Sequence, residues 1–116
     1  MVPQFIVEVA RIEAEKSYMK YKLGAVVFDK KFNILGVGHN RWFRQSEKMC
    51  GLKIEGNVPR LSIHAEIDAI NHVRRDKRYL MFGIYVYRKN NRLAMPCEKC
   101  QKWIQKNGIN NIEWSE

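Results

Sequence analysis

The chain has 116 residues, 46% of them hydrophobic, and carries 21 Lys and Arg against 12 Asp and Glu, a formal net charge of +9. That length suits one compact domain, residues 1–116, and excludes two independent cores; the apolar content excludes a disordered chain. No apolar run reaches the roughly 18 residues that a membrane-spanning helix needs, and no basic-then-apolar start marks a secretory leader. The expectation is therefore a cytoplasmic protein without a membrane partner. The positive balance suits a polyanion, either a nucleotide phosphate or a nucleic-acid backbone. The cations are scattered from Arg11 to Lys106, so charge alone does not choose between the two.

Pro3, Phe5, Val9 and Ile12 predict a first helix with proline in its opening turn. Leu23–Phe28 is a short apolar run with β-branched residues and reads as a buried strand. Asp29-Lys30-Lys31 turns the chain, and Asn33–Gly38 is the returning strand. A long polar stretch from His39 to Leu61 follows, of a length that compact domains keep for function or movement. Ser62 is placed to cap a second helix whose apolar side is Ile63, Ile67, Ile70 and Val73. The basic run Arg74-Arg75-Asp76-Lys77-Arg78 would close that helix, where cations suit its dipole. Gly83–Arg88 is the clearest strand. Asn90-Asn91 marks a turn, Pro96 opens a third helix that stops at Asn107-Gly108, and Asn111–Ser115 is a last strand. The order α-β-β-α-β-α-β implies helices covering a sheet with parallel pairing in its second half.

Two short motifs carry chemistry. His64-Ala65-Glu66 opens the second helix and Pro96-Cys97-Glu98-Lys99-Cys100 opens the third. Cys97 and Cys100 lie one helical turn apart and can face one point. With His64 they make three ligands, one fewer than tetrahedral zinc takes, and the remaining position suits water in a catalytic site. A carboxylate two residues from the histidine, outside the ligand set, is placed to carry protons; Glu66 has that role. Three cysteines in a chain without a leader fit a metal or redox site better than a disulfide framework, with Cys50 a spare thiol. Alone, H-x-E would fit a capped or packed histidine, and C-x-x-C a structural zinc site or a redox pair. Together, H-x-E, 29 intervening residues and P-C-x-x-C reproduce the zinc-deaminase signature in its order.

On these motifs the chain resembles the cytidine deaminase-like superfamily, and within it the deoxycytidylate deaminase branch. Ser62–Ile70 and Met95–Cys100 resemble its zinc motifs, Lys22–Val27 its first strand, Gly38-His39-Asn40 its second-strand exit, and Gly108-Ile109 the turn before its next strand. The resemblance implies a three-layer α/β/α sandwich around a mixed sheet of about four strands. It implies zinc as cofactor, a water attacking C4 of cytosine, a sugar contact from Asn40, and an Ala65 amide facing the pyrimidine carbonyl. Asp68 departs from the Asn that this branch often carries. The chain is shortened at its C-terminal end relative to the family, which favours a small substrate and leaves a sheet edge for a second copy of the chain.

The expected activity is hydrolysis of a cytosine nucleotide such as dCMP to the uracil nucleotide and ammonia. Arg41-Trp42-Phe43-Arg44 suggests how the substrate is held, with Arg41 and Arg44 gripping phosphate and Trp42 stacking. The same residues suit single-stranded DNA or RNA, so a deaminase acting on cytosine or adenine in a strand stands as the alternative. A zinc-stabilised nucleic-acid-binding module without catalysis is the other, and it has no use for Glu66.

Overall fold

The computed structural model of the protein describes residues 1–42, 62–90 and 94–115. Helix α1 (Gln4–Glu15) follows Pro3, which occupies the cap position in extended geometry. Its buried face is Ile6, Ala10, Glu13 and Ala14, whereas Phe5 and Ile12 of the expected stripe are half exposed. The reason is steric. Strand β1 (Leu23–Phe28) runs so close to α1 that a β-carbon on Gly24 would overlap the Ala10 carbonyl, and small side chains are what that contact accepts.

Strand β1 is buried along most of its length, the pattern of a strand covered on both faces. Asp29 turns the chain as expected, its Oδ1 accepting from the amides of Lys31 and Asn33 at 2.9 Å each. Strand β2 (Ile34–His39) returns antiparallel to β1. Beyond it, β3 (Arg41–Trp42) pairs with β4 (Ser62–Ile63) in a small second ladder. Ser62 is therefore a strand residue, and the cap of helix α2 (Ala65–Asn71) is His64. Helix α2 also stops earlier than its apolar spacing implied. Arg74 takes an extended backbone (φ −58°, ψ 139°), and the basic run enters a separate 3-10 helix, Arg75–Leu80, instead of closing α2. Val73 still reaches the core.

Strand β5 (Gly83–Arg88), helix α3 (Glu98–Lys106) and strand β6 (Asn111–Trp114) form the expected parallel crossover. Asn107 caps α3, and Gly108 supplies the positive φ (85°) that ends it. The four-stranded sheet runs β2-β1-β5-β6, mixed because β1 is antiparallel to both neighbours while β5 and β6 are parallel. Ile6 and Ala10 of α1 pack with Val26, Phe28 and Tyr85 on one face. Residues of α2 and α3 pack with Ala25, Val27, Ile84 and Val86 on the other. The α/β/α sandwich follows from this alternation.

What fixes α2 is Gly38 of β2, where a β-carbon would overlap the Ala69 amide nitrogen. Backbone meets backbone there, with no side chain between to yield. Gly38→Ala should therefore destabilise the fold by about 1–3 kcal/mol through overpacking and weaken metal binding by displacing His64. Urea titration with zinc-binding measurements checks this; an unchanged midpoint would show that α2 does not sit against Gly38.

Candidate active site

Two of the three expected ligands are helix caps. His64 precedes α2 with φ −71° and ψ 150°, and Cys97 precedes α3 with φ −65° and ψ 162°. Cys97 Sγ accepts the Cys100 amide at 3.4 Å, so the thiol that faces the metal also satisfies a free N–H of its own helix. His64 Nδ1 lies 3.0 Å from Cys100 Sγ and 3.9 Å from Cys97 Sγ, and the three ligand atoms all fall within 4.8 Å of one another. Tetrahedral zinc with bonds of about 2.0–2.3 Å holds its ligands roughly 3.6 Å apart. The triad fits that cage.

The electrostatics fit as well. Burial pushes the Cys100 thiol up, and the neighbouring Glu66 carboxylate and Cys97 add to the effect. A divalent cation among these groups reverses that tendency and stabilises the thiolates. Glu66 is buried at 3% exposure on the first turn of α2. Burial raises its carboxyl above the usual range; its own amide, the His64 charge and Cys100 pull it partly back. A carboxyl raised in this way can hold a proton nearer neutrality, as acid–base work requires.

A cleft of about 290 Å³ adjoins the triad and is lined by His64, Ala65 and Glu66 together with Tyr21, Leu23, Asn40, Arg88, Ala94 and Met95. Sheet register explains the convergence. Gly24 pairs with His39 and Leu23 with Arg88, so the start of β1 and the ends of β2 and β5 lie at one end of the sheet. Asn40 lines this cleft, but its amide also works structurally. Oδ1 accepts the Leu23 amide at 2.9 Å and Nδ2 donates to the Tyr21 carbonyl. One donor hydrogen and one lone pair are left for a ligand.

The structure does not bring Arg41 or Trp42 to the cleft. The Arg41 guanidinium reaches Asp68 Oδ1 instead, with both Nε and Nη2 at 2.9 Å. It lines a separate hollow with His72, Arg75 and Arg78. Trp42 is half exposed on β3. Arg44 and Cys50, like the rest of 43–61, lie outside the described residues. Asp68 was marked in the sequence only as a departure from its relatives, and the structure gives it a function. Wholly buried, it accepts the His39 amide on Oδ2 at 3.1 Å and holds Arg41 on Oδ1. It ties α2 to the exit of β2, two residues from Glu66. Arg88 was missed entirely.

Three residues positioned to bind a metal, beside a buried carboxyl and opening on a cleft, make a candidate catalytic metal site. Comparison with known proteins agrees. The family described as "Cytidine and deoxycytidylate deaminase zinc-binding region" matches residues 2–116. The dCMP deaminase from the cyanophage S-TIM5, in complex with dCMP and dUMP, is 21% identical with a TM-score of 0.62, over 98% of this chain and 82% of that one. The cytidine deaminase from Mycobacterium tuberculosis is 15% identical with a TM-score of 0.64, over 97% and 83%. That from Burkholderia pseudomallei is 18% identical with a TM-score of 0.59, over 90% and 75%. No curated protein gives a significant sequence match. The chain belongs to the cytidine and deoxycytidylate deaminase family. It is a zinc-dependent hydrolytic enzyme, with His64, Cys97 and Cys100 positioned to bind the metal. No helix among the described residues is long and apolar enough to cross a membrane.

Replacing Cys100 by serine should abolish stoichiometric zinc binding and remove the rise in melting temperature that zinc gives the wild type. Metal analysis after dialysis and calorimetry check both. A Cys100→Ser protein that keeps one tightly held zinc would move the site elsewhere.

Proposed function

We propose that the substrate is a phosphorylated cytosine nucleoside, such as deoxycytidylate, converted to the uracil nucleotide with release of ammonia. The observation that carries this reading is the cleft. One end is the metal triad with Glu66, the size is near the lower limit of about 300 Å³ for small-molecule sites, and the lining includes a guanidinium. The binding of dCMP and dUMP by the cyanophage relative is consistent with it.

A bound zinc supplies Lewis acidity that makes a water nucleophilic near neutral pH. The chain's own residues do the rest. Glu66 accepts a proton from the water as it adds to C4 and passes that proton to the ring nitrogen N3; it then takes the second water proton from the new C4 hydroxyl and delivers it to the departing amine. The C4–N bond breaks, ammonia leaves, and the ring keeps the new oxygen. Asn40 orients the sugar with the amide capacity that the backbone leaves free, and the Ala65 amide faces the pyrimidine carbonyl. The start of α2 thus combines a ligand, a ring contact and a proton carrier within three residues.

A strand substrate has less support. The cleft's volume of about 290 Å³ suits a single nucleotide, whereas Arg41 and Trp42, expected to hold either substrate, lie away from it, Arg41 engaged by Asp68. A non-catalytic module would not explain a carboxyl buried beside the metal at a cost in solvation. A second copy of the chain is the partner this reading keeps, since the outer edge of β6 pairs with no strand among the described residues.

Glu66→Gln should retain zinc and fold while losing about 10²–10⁴-fold in turnover. Ammonia release from deoxycytidylate should far exceed that from a cytosine-containing oligonucleotide. Turnover of the oligonucleotide alone would establish the strand reading. Sedimentation of the same preparation at micromolar concentration reads the self-association, and a pure monomer removes that partner.

A further inference from the structure

Residues alternate across β5. Ile84 and Val86 face the core beneath α2 and α3, while Tyr85 and Tyr87 face the α1 side. By that period the next residue on the core-facing side is Arg88, the last of the strand. A guanidinium therefore stands where the apolar face ends and the cleft begins. It is partly buried and lines the same cleft as His64 and Glu66. A partly buried cation at the edge of a core commonly has a counter-charge. Arg88 forms no ion pair with any carboxylate among the described residues. Its guanidinium carbon lies 4.9 Å from the Tyr21 ring centroid instead, a contact that fixes the plane of the fork without neutralising it.

The surroundings add to this charge. Lys20 also lies over Tyr21, its Nζ 5.4 Å from the centroid, and Lys20, Lys22 and Lys89 line the adjoining hollow beyond that ring. Lys89 is neutralised by Glu15 at 3.2 Å. Among the described residues the carboxylate lining the cleft is Glu66, beside the metal ligands. The cleft thus holds an acid–base group and metal ligands at the start of α2, and at the end of β5 a guanidinium fork with no carboxylate partner among the described residues.

We infer that Arg88, oriented by Tyr21, binds the substrate's 5′-phosphate and sets the enzyme's preference for a nucleotide over a nucleoside. The inference rests on the nucleotide reading above and names the residue that reading lacked. Arg88 takes the part expected of Arg41 and Arg44; the Arg41 guanidinium is engaged by Asp68, and Arg44 lies outside the described residues. A phosphate 5′ to the target nucleoside exists in a mononucleotide and in a strand alike; the assignment here is to the mononucleotide.

The test uses equilibrium binding, so it does not depend on turnover. Zinc-loaded wild type, Arg88→Ala and Arg88→Lys proteins are titrated calorimetrically with deoxyuridylate, deoxyuridine and a uracil-containing trinucleotide. Wild type should bind deoxyuridylate at least about tenfold more tightly than deoxyuridine, the scale of one charge-assisted hydrogen-bonded pair. Arg88→Ala should lose most of that preference, and Arg88→Lys, which keeps charge without the fork, should retain part. Equal affinity of wild type for nucleotide and nucleoside overturns the inference, as does a preference that survives in a zinc-replete, folded Arg88→Ala protein. If Arg88→Ala does not fold, the wild-type ratio and Arg88→Lys decide. Tighter Arg88-dependent binding of the trinucleotide overturns the mononucleotide assignment. An Arg88-dependent preference in a protein that deaminates no nucleotide would leave this site standing and refute the activity.

Discussion

Helix α2 lies directly on the backbone of β2 because Gly38 puts no side chain between them, and nearly everything in the site depends on that contact. His64, Glu66 and Asp68 are carried by the first turn of the helix and by the residue that caps it. Move the helix outward by the thickness of one methyl group and the ligand, the proton carrier and the buried anchor all shift together. The contact is rigid for a physical reason: two backbones touching have no rotamers with which to accommodate strain.

Two buried carboxylates on this turn have opposite characters. Asp68 is fully enclosed but well supplied, with the His39 amide and the Arg41 fork as donors. It acts as a fastener, and removing Arg41 would leave a buried charge uncompensated. Among the described residues Glu66 meets no cationic side chain beyond the nearby His64, and burial lifts its carboxyl. One carboxylate is tied down, the other left able to exchange a proton. Side chains two residues apart on a helix point in different directions, which lets the two coexist.

Much of this was legible in the chain. The limits of β1 and β5 follow from continuous apolar runs bounded by polar residues, and the metal motifs from spacing alone. The buried stripe of α1 was misread because large residues dominate a periodicity count, while this interface selects alanines to meet Gly24. The cap of α2 was set at Ser62 from residue preference, but the chain is first held in a strand pair with Arg41 and Trp42. The fate of Arg41 depends on Asp68, 27 residues away, a distance no local pattern reports. Arg88 was within reach: Ile84, Val86 and Arg88 alternate on one face, and a charge that ends a core-facing register is a signal in its own right.

We propose that three protein side chains, His64, Cys97 and Cys100, and no fourth, hold the catalytic zinc. X-ray absorption at the zinc edge counts that shell directly. The expected shell is two sulfurs at about 2.3 Å, one imidazole nitrogen at about 2.0 Å and one further light atom. A third sulfur or a second imidazole in the shell would make the site structural and contradict it.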